Sequence, residues 1–481
     1  MTQYNSILNK IAIVVLLAAI STTAAAQNIR TAYFMDDATH RHQLNPAFQS
    51  KTGFVSIPVL GSIQTGFGTN TLNIPNLFYP NPNTPGELVT FLHSSVDASK
   101  FLGSLKKDNH MNLDFSMPIL STAFYTKVGY FTFDASVKTY MGVSLPKGLF
   151  EFAKLGQTAT NGQTYNFSNM NIDASSYIDV GLGYSRQINE RLTLGGKVKV
   201  LFGYADAKIH YSDVEATMTE EEWQMRAHGS LDVSVVGISD KGNVGENLKS
   251  LDLSPGFGFN GMGAGIDLGA SYKTIDLLDG MAGEIFDNMT FSGAIIDLGF
   301  INWNSKNTIS AVANGDPFIF DGFDLDFLDE SDTPSLEDQL EDLGKDLEEA
   351  FNFNKTAPSS RNRMLRATLN LGAEYAMLDD KLSFGLLSST RFGAPATWSE
   401  LTLSGNYHPI SWFGVTLSYS FIHSHFQTFG WALNFSPSWI NFFIGSDYML
   451  TNVTKQFVPK TNAMNFNFGI SVPMSGNRAK N

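Results

Sequence analysis

The residues that could do chemistry in this chain are few and scattered. Gly256-Phe257-Gly258-Phe259-Asn260-Gly261 has the glycine spacing that lets a backbone approach a pyrophosphate. That chemistry requires a strand before the glycines and a helix after them, whose free N–H groups meet the phosphates. Gly263, Gly265, Ile266 and Leu268 follow instead in strand-like alternation, so no dinucleotide site is expected. His423 and His425 lie two apart, as do His40 and His42. Two imidazoles alone do not complete a zinc site, and both pairs read as solvated loop histidines. Asp324, Asp326, Asp329 and Glu330 offer hard oxygen ligands without the spacing or the glycine of a calcium loop. No Gly-x-Ser-x-Gly occurs, and Ser420, His423 and Ser424 form no marked nucleophile and base set. Cysteine is absent, which removes thiolate catalysis, Cys-ligated metal and disulfides. The expectation is a protein that is not an enzyme and carries no cofactor or metal.

Most of the remaining chain is organised by a two-residue period. Leu365, Ala367, Leu369, Leu371, Ala373 and Tyr375 alternate with Arg366, Thr368, Asn370, Gly372 and Glu374. The same rhythm returns at Phe413–Phe421 and at Met464–Val472. Period two means strands with one apolar and one polar face. Segments of about ten such residues separated by turns are the mark of a transmembrane β-barrel. The fold class expected is therefore all-β, an antiparallel transmembrane barrel of 14 strands within a range of 12 to 16.

Composition agrees with this. Aromatic residues make up 12% of the chain and 42 residues are glycine, a mixture suited to many twisted strands in close contact. The net charge of −14 opposes a nucleic-acid partner, because phosphate binding wants clustered Lys and Arg. Near the start, Lys10 precedes the apolar run Ile11–Ile20, and Ala24 and Ala26 fit an A-x-A site. Residues 1–26 are expected to be a signal peptide cleaved before Gln27, exporting the barrel to a bacterial outer membrane.

Residues 27–52 are polar and irregular and read as an N-terminal plug or periplasmic lead-in to a barrel of residues 53–481. Clean hairpins are expected at 113–137, with a break near Val128-Gly129, and at 178–202, with a tight turn at Gln187–Arg191. Residues 144–173 read as a polar loop. Strands near 211–217 and 224–236 are expected to project as a long hairpin around Glu220-Glu221-Glu222. The stretch from Asp321 to Glu349 holds thirteen acidic residues and one Lys. Within it Leu336, Leu340, Leu343, Leu347 and Phe351 form a helical stripe, so 321–360 is expected to be a partly helical insert. Seven strands follow Met364, which puts that insert outside the cell if the C-terminus is periplasmic. Trp398, Tyr407, Trp412, Trp431, Trp439 and Tyr448 lie near strand ends and are expected at the headgroup level.

Several stretches carry a resemblance to known families. Arg30–Met35, His42–Phe48, Tyr184–Asn189, Leu298–Ile301, Leu369–Tyr375 and Phe443–Gly445 together resemble a family of Bacteroidetes outer-membrane proteins known only as a domain of unknown function. That resemblance implies location and architecture. Asn45-Pro46-Ala47 is also similar to the N-P-A element of FadL-type transporters and PorV-type barrels of type IX secretion. Those families imply 14 strands and, in the transporters, an N-terminal hatch. The small-residue run that usually leads into the element is missing here. If the hatch holds, Asn45 and Pro46 sit inside the barrel as its plug motif.

The favoured function is passage or binding of a small hydrophobic molecule through a plugged channel. The alternative is a non-enzymatic structural or interaction barrel serving surface-protein export or assembly. Outer-membrane lipid is the expected surrounding, and protein partners are not assigned. Lys197, Lys199, Arg366, Glu374 and Glu400 fall on the inward face as candidate lumen charges.

Overall fold

The computed structural model describes residues 29–84, 86–156, 163–219, 223–240, 243–245, 251–253, 256–274, 288–315, 318–320, 353–393, 395–422, 426–448 and 461–477. Fourteen antiparallel strands close into one barrel. In chain order they are β1 (Thr52–Ser56 with Ile63–Thr69), β2 (Asp108–Thr126), β3 (Gly129–Pro146), β4 (Met170–Gln187), β5 (Leu192–Met218), β6 (Gly261–Lys273) and β7 (Met289–Trp303). The second half comprises β8 (Arg361–Met364 with Thr368–Met377), β9 (Leu382–Arg391), β10 (Trp398–Ile410), β11 (Phe413–Ile422), β12 (Phe426–Phe435), β13 (Asn441–Ser446) and β14 (Ala463–Asn477). Each strand pairs with the next, and β1 closes the ring on β14, with Val55 opposite Val472 and Gln64 opposite Asn467. Within the ring each of the fourteen strands is paired on both sides, which is what a strand in hydrocarbon requires.

Alternation along each strand divides the side chains between two environments. Leu182, Val198 and Leu417 are each more than 60% exposed on the outer surface. Their strand neighbours Lys197, Lys199, Thr416 and Ser418 are buried inside. An apolar exterior around a polar interior inverts the pattern of a soluble protein and suits a barrel surrounded by lipid.

The short turns 127–128, 188–191, 378–381 and 411–412 gather at one end, together with the start of β1 and the end of β14. The opposite end carries the long connections. There β5 runs 27 residues without interruption, and its second half pairs with Trp223–Val235. That strand pairs in turn with Thr308–Asn314, so a sheet extends beyond the barrel rim over its own core of Val214, Leu231 and Ile309.

Some local expectations need correction. Residues 144–173 are not a polar loop throughout. Strand β3 continues to Pro146, the helix Lys147–Leu155 follows and packs Phe150 onto Phe101, and β4 begins at Met170. In β2 a bulge between Pro118 and Leu120 shifts the phase, so that Asp114 faces inward before it and Ser121 after it. Trp398 and Tyr448 are buried within the wall cluster of Ile422 and Ala463 and do not face the headgroups. Of the acidic insert, 321–352 lies outside the described residues, while Asn354–Thr356 pairs with Thr308–Asn314. Residues 1–26, expected to be a signal peptide, Glu220-Glu221-Glu222 and the pair His423 and His425 also lie outside them.

Candidate functional site

The interior of the barrel is occupied by its own N-terminal segment. Residues 29–50 form two short 3-10 turns, Arg30–Ala32 and Thr39–Gln43, linked by reversals. A chain this irregular cannot satisfy its backbone polar groups by itself, so the barrel wall must supply partners. Asp447 accepts from the Arg30 and Thr31 amides at 3.1 and 2.8 Å. Asn434 and Asn441 both donate to the Asp37 carbonyl, and Asn370 donates to the Leu44 carbonyl at 3.0 Å. Asn370, Asn434 and Asn441 occupy inward positions on β8, β12 and β13, and Asp447 follows directly after β13.

Side chains of the segment bind the wall as well. Arg30 Nη1 lies 3.1 Å from Glu400 Oε2 and donates to the Tyr448 hydroxyl at 3.0 Å, and that hydroxyl donates to the same Glu400 oxygen at 2.8 Å. His42 Nε2 sits 3.1 Å from both oxygens of Asp134, which also takes Lys197 Nζ at 2.5 Å. The Asp37 carboxylate meets Lys51 and, at 3.0 Å, His408. Tyr33 and Ser292 hydroxyls are 3.1 Å apart. His40 and His42 are therefore not solvated loop residues. Both rings pack against Phe54 within the lumen.

Asn45 and Pro46 make the closest approach. Asn45 is fully buried, donates to the Ala270 carbonyl at 3.2 Å and accepts from the Ala47 amide at 2.9 Å. Opposite them the wall presents Gly269 and Gly195. A Cβ on Gly269 would lie 2.0 Å from Asn45 Oδ1, and one on Gly195 would lie 2.2 Å from the Pro46 carbonyl oxygen. Only glycine lets the wall backbone come this near.

Among the described residues, a cavity lies on either side of the segment. One of about 780 Å³ lies at the short-turn end, between Arg41 and Phe48 of the segment and Gln187, Asp380 and His408 of the wall. The other, of about 610 Å³, lies towards the long connections, between Arg30 and Leu44 below and Trp303, Arg361 and Arg363 around it.

Around the second cavity the inward charges occur as networks. Lys199 Nζ is 2.7 Å from Asp267 and 2.5 Å from Asp297, and Lys138 Nζ bridges Asp179 and Asp297 at 2.9 and 3.1 Å. Asp297 adopts φ 58 within a strand, a left-handed conformation costly for a side-chain-bearing residue. Its own amide donates to Asp267 at 2.7 Å, and its carboxylate reaches both lysines. Arg363 spans Asp173 and Asp206, while Arg361 spans Asp206 and Asp232. Burying unpaired charges costs several kcal/mol each, which explains why cations and carboxylates meet throughout.

Among the charges expected from sequence, Lys197 joins Asp134, Lys199 joins Asp267 and Asp297, Arg366 joins Asp114, and Glu400 joins Arg30. Glu374 lies at the short-turn cavity and accepts from Ser383. The five are distributed through the lumen and do not form one site. Their counter-charges Asp114, Asp134, Asp267 and Asp297 were missed, although each stands on a strand with inward phase or, for Asp297, at a phase-breaking kink. Arg30 and His42 carried no strand signal at all.

Gly256–Gly261 leads from a turn directly into β6, with no helix after it. Ser420 is buried and bonded to the Thr402 hydroxyl at 2.8 Å. Among the described residues no group of three His, Asp or Glu side chains is arranged to hold a metal ion.

Comparison with known proteins adds a family. No curated protein matches the sequence. Among solved structures, the chain is similar to the toluene transporter TbuX of Ralstonia pickettii, with a TM-score of 0.36 and 10% identity over 94% of each chain. It is similar to the toluene transporter TodX of Pseudomonas putida, with a TM-score of 0.34 and 9% identity over 94% of each chain. A Pseudomonas aeruginosa FadL homologue gives a TM-score of 0.34 and 10% identity, over 94% of this chain and 99% of that one. Likeness of this degree carries no information on cargo. Residues 46–447 match the family of unknown function DUF5723, and the chain belongs to that family.

Proposed function

We propose that this protein is an outer-membrane channel or transporter for small hydrophobic molecules, kept shut by its own N-terminal segment. The observation that carries the reading is the seat of residues 29–50 across the lumen, with a cavity on either side and partners on strands all round the ring. A purely structural barrel has no need of a cavity above and below its filling. The apolar outer face supports placement in a membrane, and the paired charges of the wall hold the segment without sealing the space around it. No catalytic role is assigned to any residue. In this reading Asn45 and Pro46 form the latch of the plug, and Lys197 and Glu400 anchor it through Asp134 and Arg30.

Removing residues 29–50 tests this directly. In lipid vesicles, the truncated barrel should conduct ions and admit small solutes several-fold faster than the full chain. Equal permeability of the two proteins would sink the plug. Native mass spectrometry of the detergent-extracted protein supplies the cargo arm. A small amphiphile released on denaturation supports transport, whereas an empty barrel with a constant protein companion points to an assembly role.

A further inference from the structure

The glycine-rich stretch ahead of β6 has no part in the channel, yet it presents two phenylalanines to the outside. Phe257 is fully exposed and Phe259 is 52% exposed. The loop that carries them is tied down at both ends. The Gly256 amide donates to the Val236 carbonyl at 3.1 Å, and the Asn260 amide donates to the Gly203 carbonyl at 2.9 Å. Asn260 is buried, and its side chain donates to the Asn304 and Asn307 carbonyls at 3.1 and 3.0 Å. Phe259 rests on Phe202 of β5, with ring centroids 5.3 Å apart. A phenyl ring held wholly clear of its own protein forfeits the burial that drives it from water, unless another apolar phase takes it up.

The outer side of β5 changes its surroundings at this loop. Below it Leu194, Val198 and Val200 are exposed. Above it Asp206 meets Arg363 and Lys208 lines the 610 Å³ cavity, which puts Ala207, Ile209 and Tyr211 on the outer side. These three are buried in the core of the extended sheet, against which Leu149, Phe152 and Ile238 pack. Apolar wall left bare suits lipid, and apolar wall covered by protein suits water, so the boundary between them falls beside Phe202 and Phe259. A strand rises about 3.4 Å per residue at a tilt of about 40°, so the step from Leu194 to Phe202 climbs about 21 Å of an apolar band about 25 Å tall. We propose that this loop is a lipid-contact element, whose Phe257 and Phe259 enter the boundary of acyl chains and headgroups and fix the level at which the sheet leaves the bilayer. The inference rests on the placement of the barrel in a membrane and adds a contact made by a loop outside the ring.

The chain has no cysteine, so a single introduced thiol can be labelled without background. Phe257→Cys, Leu417→Cys and Val244→Cys, each carrying a nitroxide, are reconstituted as full chains in phosphatidylcholine vesicles. Leu417 stands in the middle of β11, and Val244 is exposed beside Gly245, whose amide donates to the Lys355 carbonyl of the extended sheet. Power saturation by electron paramagnetic resonance then compares collisions with oxygen, which concentrates among acyl chains, and with a water-soluble nickel chelate. The oxygen-to-nickel ratio at position 257 should be several-fold above that at 244 and below that at 417. Adding Phe259→Ser should raise the nickel collisions of the label at 257, and unchanged collisions would remove Phe259 from the contact. A ratio at 257 equal to that at 244, with 417 still dry, would overturn the lipid contact and put the loop in water, free to meet a protein. Equal ratios at all three positions would overturn the membrane placement itself.

Discussion

Asn45 and Gly269 face each other so closely that a methyl group on the glycine would lie 2.0 Å from Asn45 Oδ1. The segment and the wall are therefore fitted to one another at this point, and the fit can be broken from the wall side. Gly269→Val should push Asn45 and Pro46 off the wall without disturbing the outer face. The expected outcome is a folded barrel with single-channel conductance raised towards that of the truncated form. A variant that stays as closed as the wild type would show that the segment can shift without opening a path.

Arg30 is anchored to Glu400 and Tyr448 in a buried cluster, and the two anchors should differ in weight. Glu400→Ala leaves a buried guanidinium with a reduced set of counter-charges, a loss of roughly 3–5 kcal/mol when one partner of a buried ion pair is removed. Tyr448→Phe removes one hydrogen bond to each of these groups and should cost about 1–3 kcal/mol. Limited proteolysis of the detergent-solubilised protein checks the order. Cleavage within residues 29–50 should appear first in Glu400→Ala, and identical patterns in the two variants would contradict it.

Asp134 serves three partners, His42 on the segment and Lys197 and Ser121 on the wall. Asp134→Ala should strand Lys197 and free His42, destabilising the closed form by roughly 3–5 kcal/mol. Combining it with Lys197→Met removes the stranded charge and should recover part of that loss. The urea midpoints of the two single variants and the double variant, taken as a cycle, measure the coupling. Strict additivity would mean that the pair contributes nothing.

Membrane depth gives a separate test of the outer face. Leu417 is 62% exposed in the middle of β11, whereas Trp439 is 68% exposed in the turn before β13. An arginine at the bilayer midplane costs about 2–4 kcal/mol and one near the interface about 0–1 kcal/mol. Leu417→Arg should therefore lower stability in lipid vesicles far more than Trp439→Arg. Equal effects would place the bilayer elsewhere on the barrel.

The amino-acid sequence by itself determined which way most side chains point and that the strands number between 12 and 16; the fourteen of the closed ring fall within that range. Alternation is a local property, set by the pleat of each strand and by the two solvents it separates. Leu371 against Asn370, and Val198 against Lys197, declare outside and inside without reference to any other strand. The inward phase of Lys197, Lys199, Arg366 and Glu400 was legible for the same reason.

Only the tertiary structure decided which charges meet. Asp134 and Lys197 stand on β3 and β5, and His42 lies outside the strands altogether; ring closure and register bring them together. The bulge at Pro118 re-aims Ser121, and the left-handed Asp297 turns a carboxylate between two lysines. Trp398 and Tyr448 turned inward because an anchored Arg30 cluster and the wall beside it give them partners there, a circumstance invisible from their position near strand ends. Residues 29–50 have no periodicity to read, because their conformation is imposed by acceptors and donors on distant strands. Which face a residue takes is a matter of its neighbours in the chain. What it then touches depends on closing the barrel.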